Sequence, residues 1–90
     1  MRKIVITVVG KDSVGIIAGV CTYLADHQVN ILDISQTIVQ GYFNMMMIVD
    51  TSASEKHFGT IAEDLHRLGE EIGVEIKAQK EEIFDKMHRI

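Results

Sequence analysis

The stretch that decides the fold is Lys3-Ile4-Val5-Ile6-Thr7-Val8-Val9-Gly10-Lys11-Asp12-Ser13-Val14-Gly15. Its first seven residues are rich in β-branched side chains and predict a strand that is apolar on both faces, as in the middle of a sheet. The strand runs into a short polar loop with two glycines, and helical periodicity follows. This junction offers backbone N–H groups, one carboxylate and little side-chain bulk. It therefore suits a small molecule that carries both charges, such as a free amino acid.

A helix is expected after the junction, from about residue 14 to residue 27, with Asp12 or Ser13 as its N-cap. Its expected buried stripe consists of residues three and four apart: Ile17, Val20, Cys21 and Leu24. Cys21 is the only cysteine, which excludes an internal disulfide. Its place in the stripe favours core packing over a nucleophilic role.

Residues 29–39 predict a second strand, with Leu32, Ile34 and Ile38 on one face and polar residues on the other. Mixed polarity of this kind is typical of a strand at the edge of a sheet. A turn at Gln40-Gly41-Tyr42 then leads into a third strand, residues 43–50, which is apolar on both faces.

The most regular helical stripe of the chain marks a second helix, and its members are Phe58, Ile61, Leu65, Leu68 and Ile72. Gly73 is expected to end this helix, and residues 74–79 alternate as a fourth strand. The order β-α-β-β-α-β predicts an α+β, ferredoxin-like sandwich, in which two helices cover one face of a four-stranded antiparallel sheet. We assign residues 1–80 to this domain and residues 81–90 to a short amphipathic C-terminal helix.

Composition restricts the function classes. A chain of 90 residues forms one domain, and its net charge of -4 argues against nucleic-acid binding. No apolar run is long enough for a membrane span, and the N-terminus lacks the pattern of a signal peptide. We therefore expect a complete, cytoplasmic protein that contacts neither nucleic acid nor membrane.

The residues that usually carry catalysis do not form a recognisable constellation. The four histidines have no metal-ligand spacing, and no Ser/His/Asp, Cys/His or paired-acid arrangement emerges. We expect no enzyme activity, no metal and no cofactor.

One sheet face is left open by the helices in the predicted fold. It presents Val5, Thr7 and Val9 together with either Phe43, Met45, Met47 and Val49 or the alternate pair Met46 and Ile48. Monomers rarely expose a large apolar patch of this kind, so we expect the C-terminal helix, a second subunit or both to cover it. The edge strand offers a second surface for a partner. The sequence predicts a homodimer, with the dimer surface left open between these two.

Over residues 1 to about 80 the chain resembles the ACT domain. The resemblance rests on the element order, on Asp12-Ser13-Val14-Gly15 entering the first helix and on Val29-Asn30-Ile31 entering the second strand. Ile34-Ser35-Gln36, together with Gly41-Tyr42-Phe43 and Met45, is similar to small stand-alone ACT proteins of bacteria and archaea. More distantly it is similar to the tandem-ACT regulators of glycine cleavage.

The resemblance implies a regulatory module that binds an amino acid at a subunit interface and signals to a protein partner that the sequence does not name. The ligand-binding residues that it implies are Asp12, Ser13, Val14, Gly15, Ile16, Asn30 and Ile31. The first-turn N–H groups of the helix would hold the ligand carboxylate. Asp12 would neutralise the ammonium, and Asn30, expected beside it, would donate and accept hydrogen bonds. In a side-by-side dimer, the partner's second strand would close the pocket.

One alternative to ligand binding remains open at this point. In it, Asp12 and Ser13 cap the helix, Gly15 packs, and Asn30 ties the loop to the strand, so that no ligand binds. The protein is then a constitutive interaction and dimerisation module. An N-cap contributes about 1 kcal/mol, so capping competes with ligand binding for the same N–H groups.

Overall fold

The computed structural model of the protein describes residues 2–82. Residues 83–90, which make up most of the predicted C-terminal helix, lie outside the described residues. The elements, in chain order, are β1 (Lys3–Lys11), α1 (Ile16–Asp26), β2 (Asn30–Val39), β3 (Tyr42–Asp50), α2 (Phe58–Ile72) and β4 (Val74–Lys80).

The four strands form one sheet in the order β2-β3-β1-β4, and every neighbouring pair is antiparallel. The predicted ferredoxin-like class is confirmed. The strands with apolar residues on both faces, β1 and β3, occupy the middle, and β2 is an edge strand. Because β1 and β2 both run antiparallel to β3, they point in the same direction.

The core lies between the sheet and the two helices. Alternate residues of β1 and β3 face the helices, and Gly10 is opposite Phe43 at one end of this set, while Ile4 is opposite Val49 at the other. The buried apolar residues of this layer are Ile4, Ile6, Val8, Ile16, Val20, Leu24, Val29, Phe43, Met45, Met47, Val49, Ile61, Leu65, Val74 and Ile76.

The register decides which residues form the open face, the side of the sheet away from the helices. Val5 is opposite Ile48 and Thr7 is opposite Met46, so Met46 and Ile48 lie there. The first of the two predicted sets is wrong: Phe43, Met45, Met47 and Val49 lie in the core. The methionine-rich open face is reduced to Met46, and Val5 on the same face is buried.

Helix α1 begins two residues later than the sequence predicts. Its N-cap is Gly15, with φ 91° and ψ 0°, and no side chain hydrogen-bonds to the cap. This left-handed conformation is one that glycine adopts without the penalty of a Cβ. The residues at 13 and 14 therefore belong to the turn that precedes the helix.

The buried stripe of α1 also differs from the prediction: Ile16, Val20 and Leu24 are buried, whereas Ile17 is exposed. Gly19 faces Ile72 of α2, because a Cβ added at Gly19 would lie 3.8 Å from Ile72 Cδ1. At 100° per residue, Gly19 lies on one side of the buried stripe, and Ile17 and Cys21 lie on the opposite side, away from α2. They therefore face β2.

A two-residue turn joins β2 to β3. Gln40 and Gly41 both have positive φ, 51° and 80°, as the type I′ turn of a tight hairpin requires. The pairing of β2 with β3 also shifts by one residue between Ile31 and Asp33.

The two helices are joined by a polar cluster around Asp64. Tyr23 Oη donates to Asp64 Oδ2 at 2.6 Å, and Lys56 Nζ contacts the same oxygen at 2.6 Å. Arg67 Nη2 donates to Asp64 Oδ1 at 3.0 Å. The hydrogen bonds from Lys56 and then Tyr23 lower the pKa of Asp64, so the carboxylate stays ionised and holds α1 against α2.

Candidate functional site

The junction between β1 and α1 is anchored to the hairpin turn. The backbone N–H of Asp12 donates to the carbonyl of Gly41 at 2.8 Å. The side chains of Asp12, Ser13 and Val14 are exposed. The loop is thus fixed by its backbone while the Asp12 carboxylate faces solvent.

The first turn of α1 has backbone N–H donors that the helix itself does not pair. The Gly19 N–H donates to the Gly15 carbonyl, the first hydrogen bond of the helix. The N–H groups that precede it have no partner within the helix and lie at its positive end. Among residues 2–82, no side chain caps them.

This geometry corrects two predictions. Asp12 and Ser13 are not the N-cap, because the chain turns through Gly15 before the helix starts. Gly15 does not serve close packing either, because a Cβ placed there would have no described heavy atom within 4 Å. The competition between capping and ligand binding is absent, and the carboxylate and the N–H donors are both accessible.

Asn30 and Ile31 lie elsewhere. Asn30 is opposite Asp50 in β3, and Asp50 is also opposite Lys3, at the start of β1. The junction follows Lys11, at the other end of β1. At ~3.3 Å per residue, Lys3 and Lys11 are about 26 Å apart. The expectation that Asn30 lies beside Asp12 is therefore wrong within one chain.

The junction end of the sheet has an apolar surface that was not part of the site predicted from the sequence. Ile38 and Gly10 are both opposite Phe43, on either side of β3, so the end of β2 lies at the same end of the sheet as the junction. Ile38 is on the helix side of the sheet but is 58% exposed, because β2 extends beyond the cover of the helices. The same strand direction that separates Asn30 from the junction brings Ile38 to it, and this direction follows from the element order alone.

An apolar strip continues from Ile38 along the helix side of β2. We define the β2 strip as the side chains on α1 and β2 that border this edge of the sheet: Ile17, Cys21, Ile31, Ile34 and Ile38. Ile17 and Ile34 are exposed, whereas Cys21 and Ile31 are partly buried and pack against the core.

A second concave region, of about 730 Å³, lies at the other end of the sheet, near the start of α2. Its charged lining is mixed, with Arg2, Lys3 and Lys80 beside Glu81 and Glu82. It is lined by none of the predicted site residues. Because the charges oppose one another, the lining does not select a ligand of one sign.

Other classes of site were searched within residues 2–82. No group of three or more His, Cys, Asp or Glu side chains in this part of the chain is arranged to hold a metal ion. In the same residues, neither helix has the length and apolar character needed to cross a membrane.

Comparisons with known proteins agree on one family. A model of the ACT domain matches residues 2–79. A UPF0237 protein of Bifidobacterium longum is 64% identical over 90 residues, which is all of both chains. The solved structure of an ACT domain protein from Streptococcus pneumoniae has a TM-score of 0.82 at 39% identity, covering 93% of this chain and 94% of that one.

A more distant structure shares the fold alone. It is that of a putative glycine cleavage system transcriptional repressor, with a TM-score of 0.76 at 21% identity. The match covers 88% of this chain and 45% of that one.

Proposed function

This chain belongs to the ACT domain family, and on that premise we propose that it is a regulatory domain that binds an amino acid at the junction between β1 and α1. The observation that carries the proposal is the uncapped first turn of α1, which follows an exposed Asp12 carboxylate in the junction. Bound ligand would then alter how the protein engages a protein partner.

The two charged groups of an amino acid match the two ends of this site. The first-turn N–H groups of α1 can donate to the ligand carboxylate, and Gly15 lets the ligand approach the backbone closely. Asp12 supplies the negative charge for the ammonium. Its backbone bond to Gly41 holds it in place without engaging its side chain.

A second copy of the chain would complete the site. If β2 pairs with β2 of another copy across a two-fold axis near Ser35, the antiparallel register sets Asn30 of the second copy opposite Gln40. Gln40 precedes Gly41, which already bonds to Asp12. Asn30, about 26 Å away in its own chain, would thus reach the junction of its partner.

The edge itself supports such a dimer. Strand β2 is ten residues long and exposed along most of its length, and it carries no proline and only one charged residue, Asp33. Long apolar edges without such protection readily pair with another strand. Pairing would also cover the β2 strip, whose exposed isoleucines have no cover within residues 2–82.

Isothermal titration calorimetry of the purified protein against the common amino acids, each at millimolar concentration, tests the proposal. We expect one site per chain that is lost in Asp12→Ala. Glu63→Ala, which removes an exposed carboxylate from α2, is the matched control and should bind as the wild type does. Flat traces for every amino acid would contradict the proposal.

The second candidate function is a constitutive interaction module. It is favoured by a group of exposed apolar side chains on the open face near the hairpin, namely Val9, Val39, Tyr42 and Met46. If this function is the right one, partner binding depends on these side chains and is unchanged by Asp12→Ala or by added amino acids.

A further inference from the structure

We propose that the effector is an amino acid with an uncharged, apolar side chain. This inference rests on the proposed function and specifies the ligand class of the same site. Two observations support it: apolar side chains are exposed at the junction end of the sheet, and charged residues are scarce around them.

The ligand side chain would lie against apolar surface. A ligand whose carboxylate is held by the first turn of α1 lies over the junction end of the sheet. Ile38 lies at this end of the sheet, on its helix side, and Ile17 lies in the first turn of α1. Both are exposed in the single chain, so an apolar ligand side chain would remove them from water and gain the hydrophobic contribution of that area.

The second copy would add surface of the same character. The pairing that brings its Asn30 to Gln40 also brings its Leu32 towards Ile38. Leu32 is exposed and lies at the irregularity between Ile31 and Asp33. The side chain of the ligand would therefore be enclosed by aliphatic groups from both copies.

Charged residues are scarce in the elements that border the site. From Ile16 to Ala25, α1 carries no charged residue, and the only one in β2 is Asp33. Asp33 is opposite Ile48 and thus lies on the open face. Lys11 is opposite Tyr42 on that same face, turned away from α1.

Neither α1 from Ile16 to Ala25 nor the helix side of β2 supplies a counter-charge for a charged ligand side chain, and Asp12 is assigned to the ammonium. Moving an unpaired charge against aliphatic side chains is costly. The aliphatic side chains around the site therefore disfavour acidic and basic amino acids. They add little binding free energy for amino acids with a hydroxyl side chain.

The test is a calorimetric comparison of leucine, isoleucine, valine and methionine with serine, aspartate, glutamate and lysine on the full chain. We expect at least one of the apolar group to bind about tenfold more tightly than serine, the order of discrimination that a hydrophobic pocket provides for about one methylene. Binding of the charged amino acids should be weaker still.

Two variants separate side-chain recognition from an indirect effect. Ile38→Ser, on the helix side, should reduce the preference for the apolar ligand over serine by about fivefold or more. Val39→Ser is the control, because Val39 is the next residue, points to the open face and is 63% exposed, against 58% for Ile38. It should leave the preference unchanged.

The outcomes distinguish this inference from the proposed function. Asp12-dependent binding of a charged or hydroxyl amino acid in preference to the apolar group overturns the inference and leaves the proposed function standing. The same holds if Ile38→Ser keeps the full preference. Absence of binding by every amino acid overturns both.

Discussion

Asp12 and Asn30 lie at opposite ends of the sheet within one chain, although the sequence predicts that both contact one ligand. Asp12 follows Lys11, which is opposite Tyr42, whereas Asn30 is opposite Asp50. A site that contains both residues therefore requires two copies of the chain. This separation makes the proposed dimer part of the binding chemistry.

The dimer gives the first prediction. Light scattering at micromolar concentration should give twice the chain mass of 10.1 kDa. Ile34→Lys should give a monomer, because two lysines would meet near the two-fold axis on an edge that otherwise carries one charge. Val9→Lys is the control, because Val9 is 47% exposed on the open face and Ile34 is 44% exposed. A dimer that survives Ile34→Lys and dissociates in Val9→Lys would place the interface on the open face.

Asp12→Ala separates binding from stability. Because Asp12 does not cap α1, we expect the free energy of unfolding to change by less than about 0.5 kcal/mol, as for surface substitutions in general. Ligand affinity should fall by tenfold or more, since a hydrogen bond to a charged group is lost. Urea denaturation and calorimetry measure the two effects. A stability loss of about 1 kcal/mol would instead indicate a capping role.

Gly15→Ala tests the left-handed turn into α1. A Cβ at Gly15 meets no described atom, but φ is 91° there. The cost is therefore conformational, about 1–2 kcal/mol of unfolding free energy.

Gly59→Ala is the matched control for that substitution. It also has open space around its Cβ position, and it lies within α2. Alanine should stabilise that helix by up to about 1 kcal/mol. Equal effects at the two positions in urea denaturation would contradict the role assigned to Gly15.

The cluster at Asp64 predicts a pH dependence. Burial, followed by the hydrogen bond to Asp64, raises the pKa of Tyr23, so its contribution to stability is complete below the unfolded value of about 10. That contribution is lost as the pH rises above about 10, because the unfolded chain releases the proton first. Asp64 has a lowered pKa, so its contribution is complete above about pH 4 and is lost as the pH falls below that value.

Urea denaturation between pH 3 and pH 11 measures both limbs. Tyr23→Phe should remove the part of the alkaline loss that Tyr23 causes, and Asp64→Asn should flatten the acid limb. Tyr42→Phe is the control, because Tyr42 is exposed on the hairpin. An alkaline limb that is identical in Tyr23→Phe and the wild type would rule out the assigned hydrogen bond.

The fold could be predicted from the pattern of apolar and polar residues, because that pattern reflects which faces of each element are buried. Strands β1 and β3 are apolar on both faces, so they belong in the middle, and the mixed polarity of residues 30–39 belongs at an edge. The first residue of α1 was harder to predict from the sequence. A stripe beginning at Ile17 and one beginning at Ile16 share Val20 and Leu24, and only the conformation of Gly15 distinguishes them.

The candidate site was predictable in part. The residues of the junction follow from the strand-to-helix change, but their relation to Asn30 depends on strand direction. Because β2 is parallel to β1, its first residue lies near the first residue of β1 and not near the last. Ile38 was not predicted as a site residue for the same reason. The sequence assigns it to an apolar face of β2, and only the direction of β2 shows that it lies at the junction end of the sheet.

The central claim is that Asp12 of one chain and Asn30 of another share one ligand. Asp12→Ala and Asn30→Ala homodimers should each bind weakly or not at all. When the two variants are unfolded together and refolded, half of the chains should form mixed dimers, each with one intact site and one site lacking both side chains. Calorimetry of the mixture against an amino acid that binds the wild type is the most direct test. Recovery of high-affinity binding in about one quarter of the chains is the predicted result, and no recovery in a mixture shown by mass spectrometry to contain mixed dimers would contradict the account.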